Sequence, residues 1–278
     1  MVTYTNIDYL VVGHISRDLT VDGYVPGGTA LFSALTAQAL GCRVAVLTSV
    51  AKDYDLAELL PGIASHVVPA EQSTTFENHY SSGRRTQTIY NIAGTLTSRD
   101  VPVEWQRAAI VHLGPIANEI EPKMIRLFSN SVIGLTPQGW YRKWDEDGQV
   151  RSGDWTTAAD VLPFAAATVL SLEDIPDPDT LTKIRQMTPI VVLTQQEGGC
   201  TVYFHDDMRQ IPAPSVPEVN PTGAGDIFAT AFFVRLHQTK GNPWEAAEFA
   251  NQIAAMSVAQ LTLSEKLNSI REVLGRED

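Results

Sequence analysis

Six short apolar runs, each about as long as a β-strand, constrain the fold of this chain more than any other feature. Val, Ile and Leu occupy successive positions in these runs rather than alternate ones, which is typical of parallel strands covered on both faces. Helix-like segments separate the runs, for example residues 29–40 and 177–187. The alternation predicts a doubly wound, mainly parallel α/β sheet with helices on both faces, a class that binds ligands at the carboxyl ends of its strands. The six runs are 7–15, 43–50, 108–114, 131–137, 167–174 and 189–196.

Length and charge limit the number of domains and the kinds of partner that this chain can have. The chain has 278 residues with no internal repeat or linker, so we expect a single domain over residues 1–278. Its formal net charge of −12 argues against broad binding to nucleic acids or anionic membranes. The first residues carry no basic leader, and no stretch reaches the ~20 apolar residues of a membrane span. Cys42 and Cys200 have no paired spacing and are expected to be reduced, so we expect a cytoplasmic protein without nucleic-acid or membrane partners.

Two segments interrupt the alternation of strands and helices. Residues 73–93 have two extended, β-rich arms around an SSGRR turn, which predicts a hairpin. Such a hairpin could be a lid over a site, a dimer contact or a decoration of the sheet edge. Residues 139–155 form a polar, aromatic-rich insert with a DEDG turn.

Several polar and aromatic side chains allow both a functional and a structural interpretation. The histidines have no metal-ligand spacing, and His14, at a strand end, is the one that could lie near a substrate. The hairpin and the insert carry basic and aromatic residues that could contact an anion or a nucleotide, or lie on the surface: Arg84, Arg85, Trp140, Arg142 and Trp144.

The stretch EVNPTGAGDIFATAFFVRL, residues 218–236, joins a glycine-rich turn to a run that is apolar almost all round. Gly223 and Gly225 let the backbone approach a ligand closely, and the apolar run predicts a buried helix. The first amides of that helix have no intrahelical partner, so they can bind an anion. Asp226 lies in the first turn, where the helix dipole favours its ionised form and where it could accept a proton from a substrate hydroxyl. The alternative is an ordinary helix start whose glycines serve only the turn.

Two motifs carry a resemblance to a known family. NPTGAGD, residues 220–226, resembles the D-T-x-G-A-G-D signature of the ribokinase-like (PfkB-type) carbohydrate kinases. Residues 23–41 resemble that family's first signature, in which a Gly-Gly pair precedes a helix and approaches the sugar. The order and spacing of the two motifs also match, so the resemblance covers nearly the whole chain.

The resemblance implies a role for each matching residue. Asp226 would be the catalytic base, and the amides of Gly223, Ala224 and Gly225 would form the anion hole around the transferred phosphoryl group. Asp18, in GHISRD, would hold substrate hydroxyls. The remaining roles are the lining of the sugar pocket by Gly27 and Gly28, nucleotide binding by the loop with Thr194 and Gly199, and placement of Mg²⁺ and phosphate by Glu173 and Asp174.

The chain also departs from the family pattern. Asn220 replaces the usual aspartate, which puts activation by a monovalent cation in doubt. Few residues separate Asp18 from Gly27, so the N-terminal part of the lid is expected to be short and the lid to rest mainly on residues 73–93. The SLED sequence at 171–174 and the short lid resemble inositol kinases. The other departures are Ser171 for asparagine, Gln196 for glycine, Phe32 for asparagine and Gly114 for a sugar-contacting glutamate.

The resemblance therefore implies an ATP- and Mg²⁺-dependent kinase of a small sugar, a cyclitol (inositol-like) or a related polyol, with a homodimer contact through the lid as one option. The first alternative is a nucleoside kinase of the same superfamily, since Phe32 leaves room for an apolar slot. The second is a catalytically silent ligand-binding or regulatory protein on the same scaffold, suggested by the altered positions. No G-x-x-x-x-G-K-[ST] sequence occurs, which excludes a P-loop.

Overall fold

A nine-stranded sheet forms the centre of the computed structural model, which describes residues 6–81 and 84–275. All neighbouring strands pair in parallel except at one edge, where the last two strands along the chain are antiparallel. The mainly parallel sheet expected from the apolar runs is confirmed. From that edge to the other, the strands are β15 (Asp207–Ile211), β14 (Cys200–Phe204), β13 (Ile190–Thr194), β12 (Ala167–Ser171), β9 (Val132–Leu135), β8 (Ile110–Leu113), β1 (Tyr9–Val12), β4 (Val44–Ala51) and β5 (Ala64–Ala70).

Helices cover both faces of this sheet, as successive side chains of β1 show. Tyr9 and Val11 point into one hydrophobic core, the first core, and Leu10 and Val12 point into the second core on the opposite face. In the described residues no helix combines the length and apolar composition needed to cross a membrane. The α-helices of the described part are α1 (Thr29–Ala39), α2 (Leu56–Leu59), α3 (Gln138–Tyr141), α4 (Ala158–Val161), α5 (Pro178–Met187), α6 (Ala224–Gln238), α7 (Pro243–Val258) and α8 (Leu263–Leu274).

The helix predicted after the glycine-rich turn is α6, and it is among the most buried elements. Nearly every residue from Ile227 to Leu236 is buried, and Phe232 and Phe233 are completely inaccessible. α6 packs against α1 and α7 in the first core. Because apolar contacts surround the helix, its N-terminus is held in a fixed position at the carboxyl edge of the sheet.

A second, four-stranded sheet lies apart from the central one. Its strands, in order, are β3 (Gly23–Gly27), β2 (Ser16–Thr20), β6 (Thr75–Ser81) and β7 (Arg84–Asn91). The hairpin predicted over residues 73–93 is confirmed as the antiparallel pair β6–β7, although residues 82 and 83 of its turn lie outside the described residues. Residues 16–27 supply the other two strands. The N-terminal part, expected to be short, consists of two five-residue strands joined by two residues.

The insert at 139–155 completes this part of the molecule. β10 (Arg142–Trp144) and β11 (Val150–Ser152) form a hairpin around the predicted DEDG turn, in which the Gly148 N–H donates to the Asp145 carbonyl. The N–H of Ile89 donates to the Gly148 carbonyl at 2.8 Å, so the insert lies along β7. A small cluster joins the second sheet to the loop after β8 and contains Phe76, Ile89, Ile116 and Ala117. The second sheet thus lies over loops at the carboxyl edge of the central sheet.

Candidate active site

Glycine is present at positions 223 and 225, before Asp226, for two different structural reasons. Gly223 has a left-handed φ of 78°, and a Cβ atom there would lie 2.4 Å from Cδ1 of Phe32. A Cβ atom at Gly225 would meet no atom within 4 Å. Gly223 is therefore needed for the turn and for packing on Phe32, whereas Gly225 borders open space in which a ligand can approach the backbone.

Hydrogen bonds inside this loop leave a defined set of amides unpaired. The N–H of Ala224 donates to the Pro221 carbonyl at 3.0 Å, and the N–H of Thr222 donates to Oδ1 of Asn220 at 2.9 Å. Within the part of the chain that the structure describes, the N–H groups of Gly223, Gly225 and Asp226 have no acceptor. Of the three amides expected to form an anion hole, those of Gly223 and Gly225 are thus unpaired and that of Ala224 is paired, and the unpaired Asp226 N–H lies next to them.

Asp226 lies among charged and polar groups from distant parts of the chain. Burial is the largest influence and raises the pKa of its carboxyl to about 6, and the nearby carboxylates of Asp174 and Asp18 act in the same direction. A hydrogen bond with Thr29 and the positive charge of Arg142 oppose this rise in pKa. The expectation that the helix dipole favours the ionised form is thus corrected, because desolvation and two like charges outweigh it. A carboxyl with a pKa close to neutral is well suited to accept a proton.

Asp18 and the Gly-Gly pair come together beside this carboxyl. The Ser16 hydroxyl donates to Oδ1 of Asp18 at 3.0 Å. A Cβ atom at Gly27 would lie 2.7 Å from Oδ2 of Asp18, and one at Gly28 would lie 2.6 Å from the His14 carbonyl. A side chain at Gly28 would meet backbone atoms and one at Gly27 would meet the Asp18 carboxylate, so the pair brings the start of α1 against β2. Asp18 stays partly accessible, which the expected contact with substrate hydroxyls requires.

The two acidic residues proposed for Mg²⁺ have different surroundings. Asp174 is partly buried, accepts from Nε2 of Gln138 at 2.9 Å, and has a pKa raised above its usual value, chiefly by desolvation. Glu173 is exposed and accepts from Nε2 of Gln196 at 2.7 Å. No group of three acidic, histidine or cysteine residues able to hold a metal occurs in the described residues. Since Mg²⁺ usually takes one or two carboxylates and completes its shell with phosphates and water, this pair fits a magnesium ion that arrives with the donor.

Thr194 and Gly199 flank a loop between β13 and β14. Thr194 pairs in register with Ser171 of β12, so this loop begins beside the Asp174 segment. Gly199 has a φ of 83°, and a Cβ atom there would lie 2.2 Å from the Ile211 carbonyl oxygen. Close packing therefore explains the glycine at position 199. Neither Thr194 nor Gly199 is among the groups that shift the pKa of Asp226.

Arg142, Thr29 and Gln138 join the site, and sequence reasoning missed Thr29 and Gln138. Arg142 donates to the Ile116 carbonyl and to Oε1 of Gln138, both at 2.8 Å, and its guanidinium lies 5.1 Å from the ring centre of Phe76. Its charge also acts on Asp174 and Asp226. The insert had drawn attention to Arg142, but as a residue near the nucleotide. Its position a few residues after β9, at the carboxyl edge, was the available signal.

Other flagged residues lie elsewhere. Trp140 is buried and stacks on Trp155 at 4.6 Å, so it belongs to the second core rather than to a nucleotide site. Trp144 packs against the small cluster under the second sheet. His14 is fully buried with Nδ1 2.7 Å from the Thr74 hydroxyl and Nε2 2.8 Å from the Gly94 carbonyl, so both ring nitrogens are already partnered. The side chains of Arg84 and Arg85 lie outside what the structure describes.

Comparison with known proteins indicates the same family as the two sequence motifs. Residues 166–269, which include α6 and its glycine turn, match the model of the pfkB family carbohydrate kinases. The similarity to PfkB-type carbohydrate kinases that the two motifs predict is confirmed. It is 24% identical to a cytidine kinase of Thermococcus kodakarensis over 86% of this chain and 91% of that protein. It is 26% identical to an inositol 3-kinase of Oryza sativa subsp. japonica over 96% of this chain and 73% of that protein.

A solved structure shows the same fold. A pyrophosphate-dependent kinase in the ribokinase family, complexed with a pyrophosphate analog and myo-inositol, superimposes with a TM-score of 0.76. The two chains are 20% identical, and the match covers 94% of this chain and 99% of the other. The ribokinase-like architecture expected from the two motifs is confirmed, and the kinase names of the relatives support the predicted carbohydrate kinase.

Proposed function

We propose that this PfkB-type kinase transfers the terminal phosphoryl group of ATP to a hydroxyl of a small sugar, a cyclitol or a related polyol. One observation supports this most directly: the Asp226 carboxyl, with a pKa of about 6, stands beside unpaired amides at the start of α6. This arrangement combines a proton acceptor with an anion site, the two elements that transfer to an alcohol requires.

In the proposed reaction, residues at the carboxyl edge of the central sheet act one after another. Asp18 binds hydroxyls of the acceptor and directs one of them toward Asp226. Asp226 takes the proton of that hydroxyl as its oxygen forms a bond to the terminal phosphorus, and the bond between that phosphorus and the bridging oxygen breaks to release ADP. The N–H groups of Gly223, Gly225 and Asp226 stabilise the charge on the transferring group, and Arg142 adds a positive charge beside it.

Mg²⁺ bound to the donor phosphates offsets their negative charge. Asp174 and Glu173 are the carboxylates proposed to hold that ion, and Thr194 and Gly199 are proposed to bind the nucleotide. Glu173 and Gln196 are hydrogen bonded across the two loops, so the same segment would contact both the metal and the nucleotide.

A panel of acceptors and donors tests the proposal. myo-Inositol, fructose, ribose, cytidine and adenosine are each incubated with ATP and Mg²⁺, and phosphorylated products are identified by mass spectrometry and ³¹P NMR. Pyrophosphate replaces ATP in a parallel set, because the structural relative described above depends on it. Phosphorylation of a polyol or sugar with ATP is the expected result, and product formed only with pyrophosphate would overturn the donor assignment.

A nucleoside kinase is the second candidate, and the similarity to a cytidine kinase over most of both chains favours it. Phe32 no longer supports it, because that ring is buried against Gly223 rather than beside an open slot. Val25, half exposed and paired with Asp18 across the strands, offers the apolar surface that a base would need. Turnover of cytidine or adenosine with no turnover of polyols would establish this alternative, and donor binding without any product would establish the silent scaffold.

The homodimer contact through the second sheet stays a prediction. Leu19 and Tyr24 pair across β2 and β3, and both are exposed on the face opposite Asp18. Sedimentation of the wild type and of a Tyr24→Lys variant would test it, with a monomer expected for the variant if this face forms the contact.

A further inference from the structure

Lys266 is a buried lysine beneath the loop that carries the anion site. It is 1% exposed, and its Nζ donates to the carbonyl oxygens of Asn220 and Thr222 at 2.6 and 2.8 Å. Among the residues that the structure describes, it forms no salt bridge with a carboxylate. Lysines are rarely buried without such a pair, so this one needs an explanation.

The position is unfavourable for a cation by itself. Desolvation lowers the pKa of the Lys266 ammonium below its usual value. The residue also lies in the first turn of α8, where the helix dipole disfavours positive charge. The two carbonyl oxygens are what offset these costs, because they interact more strongly with a charged donor than with a neutral one.

Lys266 also determines the direction of one amide of the anion site. The Thr222 carbonyl and the Gly223 N–H belong to the same peptide group, and no peptide bond in the described chain is cis. In a planar trans peptide the C=O and N–H point in opposite directions. When Lys266 holds the Thr222 oxygen, the Gly223 N–H therefore points away from the lysine, and the bond polarises that N–H toward an incoming anion.

Other contacts hold the loop without replacing this one. The N–H groups of Val219 and Asn220 donate to the Val258 carbonyl at 2.8 and 3.0 Å, and Nδ2 of Asn220 donates to the Leu261 carbonyl at 2.8 Å. These bonds attach the first part of the loop to the end of α7. The Thr222 carbonyl, which is next to the anion site, depends on Lys266.

We propose that Lys266 is a built-in cation: its ammonium occupies the place of a bound monovalent cation, binds the carbonyl oxygens of Asn220 and Thr222, and orients the anion loop. Lys266 is a positioning residue that acts through Gly223. The inference rests on the proposed function in one respect, the use of this loop to hold the transferred phosphoryl group. It requires that the wild-type protein respond equally to potassium and to an inert cation.

Thermal unfolding tests the proposal without any substrate. Melting temperatures are measured in KCl, NH₄Cl, methylammonium chloride and choline chloride at equal ionic strength, for the wild type, Lys266→Ala and Lys266→Met. Lys266→Ala leaves room for a cation beside the two carbonyls, whereas the Met side chain fills that room without a charge. We expect K⁺ or an ammonium ion to raise the Tm of Lys266→Ala by about 3 °C or more over choline, with no such shift in the wild type or Lys266→Met. Lys183→Ala, on the exposed side of α5, is the control.

Steady-state kinetics are the second test of the role of Lys266, once an acceptor is known. Lys266→Ala is expected to lower kcat by about tenfold in choline chloride, with KM for the acceptor nearly unchanged, and to recover in KCl or methylammonium chloride. A wild type that K⁺ stimulates severalfold would overturn the proposal, as would a Lys266→Ala variant with full activity and no cation response. If no acceptor is phosphorylated, the proposed function fails while the melting experiment still decides the role of Lys266. If neither variant folds, the cation response of the wild type decides it.

Discussion

The start of α6 and the loops after β12 and β13 lie at the same edge of the central sheet, but they are built in different ways. At α6, Asp226 is surrounded by groups from four other segments, and Lys266 holds the loop from behind. In the loops after β12 and β13, Glu173 is exposed and its partner, Gln196, belongs to the neighbouring loop. The charges around Asp226 are partly buried, whereas Glu173 of the second region is exposed and pairs with the neighbouring loop.

This difference indicates where each region acts. A partly buried set of charges held by several segments does not rearrange easily, so it suits a step in which a proton and a phosphoryl group must be placed accurately. An accessible pair of loops suits a donor and its metal, which enter and leave in each turnover. Substitutions in the first region should therefore change kcat strongly, and substitutions in the second should have smaller effects.

The largest effect is expected for Asp226→Asn, which removes the proton acceptor. We expect kcat to fall by about a thousandfold while the fold is retained. The same change should raise stability at pH 8 by about 2 kcal/mol. The folded-state pKa is raised to about 6, so this carboxyl favours folding only below the unfolded pKa, and that contribution is lost as the pH rises through about 6.

Steady-state kinetics and thermal melts at pH 4 and pH 8 check both parts of this prediction. The gain in Tm should be present at pH 8 and absent at pH 4. Near-normal activity of the variant would mean that Asp226 is not the base.

The next largest effect is expected for Arg142→Met. Removal of the guanidinium takes away a positive charge beside Asp226, so kcat should fall by about a hundredfold. Arg151→Met is the matched control, because Arg151 lies on the same hairpin, pairs only with Asp145 among the described salt bridges and has a side chain 75% exposed. Initial rates at saturating substrate are the measurement. Equal losses in the two variants would show that general hairpin damage, not the charge at the site, is responsible.

A pair of substitutions should move the pH profile in opposite directions. Activity in kcat/KM should rise with pH through about 6 and then level off, because the base must be ionised. Thr29→Val removes a hydrogen bond that lowers the pKa of Asp226, so the acidic limb should move to higher pH. Asp174→Asn removes a negative charge that raises this pKa, so the limb should move to lower pH. Thr29→Ser keeps the hydroxyl and should leave the acidic limb in place. Shifts of the same sign in Thr29→Val and Asp174→Asn would contradict the assignment of this limb to Asp226.

The smallest effect is expected in the accessible region. Glu173→Gln keeps the size of the side chain and can still accept from Gln196, so we expect about a threefold rise in KM for the Mg²⁺–donor complex and little change in kcat. Titration of Mg²⁺ at fixed donor concentration is the measurement. A loss as large as that of Arg142→Met would remove the distinction between the two regions.

Local patterns in the sequence account for the elements and for part of the site. Continuous apolar runs predicted the parallel strands, and the Gly-Ala-Gly-Asp turn before an apolar helix predicted the position of Asp226. The rest depends on contacts between distant residues. Thr29 and Arg142 lie far from Asp226 in the chain. The pKa of Asp226 results from burial, from the hydrogen bond with Thr29 and from the charge of Arg142, which no local pattern encodes. Lys266 was missed for the same reason, since its acceptors are carbonyl oxygens that any residue could supply.

The pairing of Asp18 with Val25 in the second sheet is useful for protein engineering. Val25 is 51% exposed and belongs to no core cluster in the described residues, yet it stands directly across from the carboxylate proposed to hold the acceptor. A library at Val25 would therefore alter selectivity among small molecules while leaving the catalytic edge and the two cores untouched.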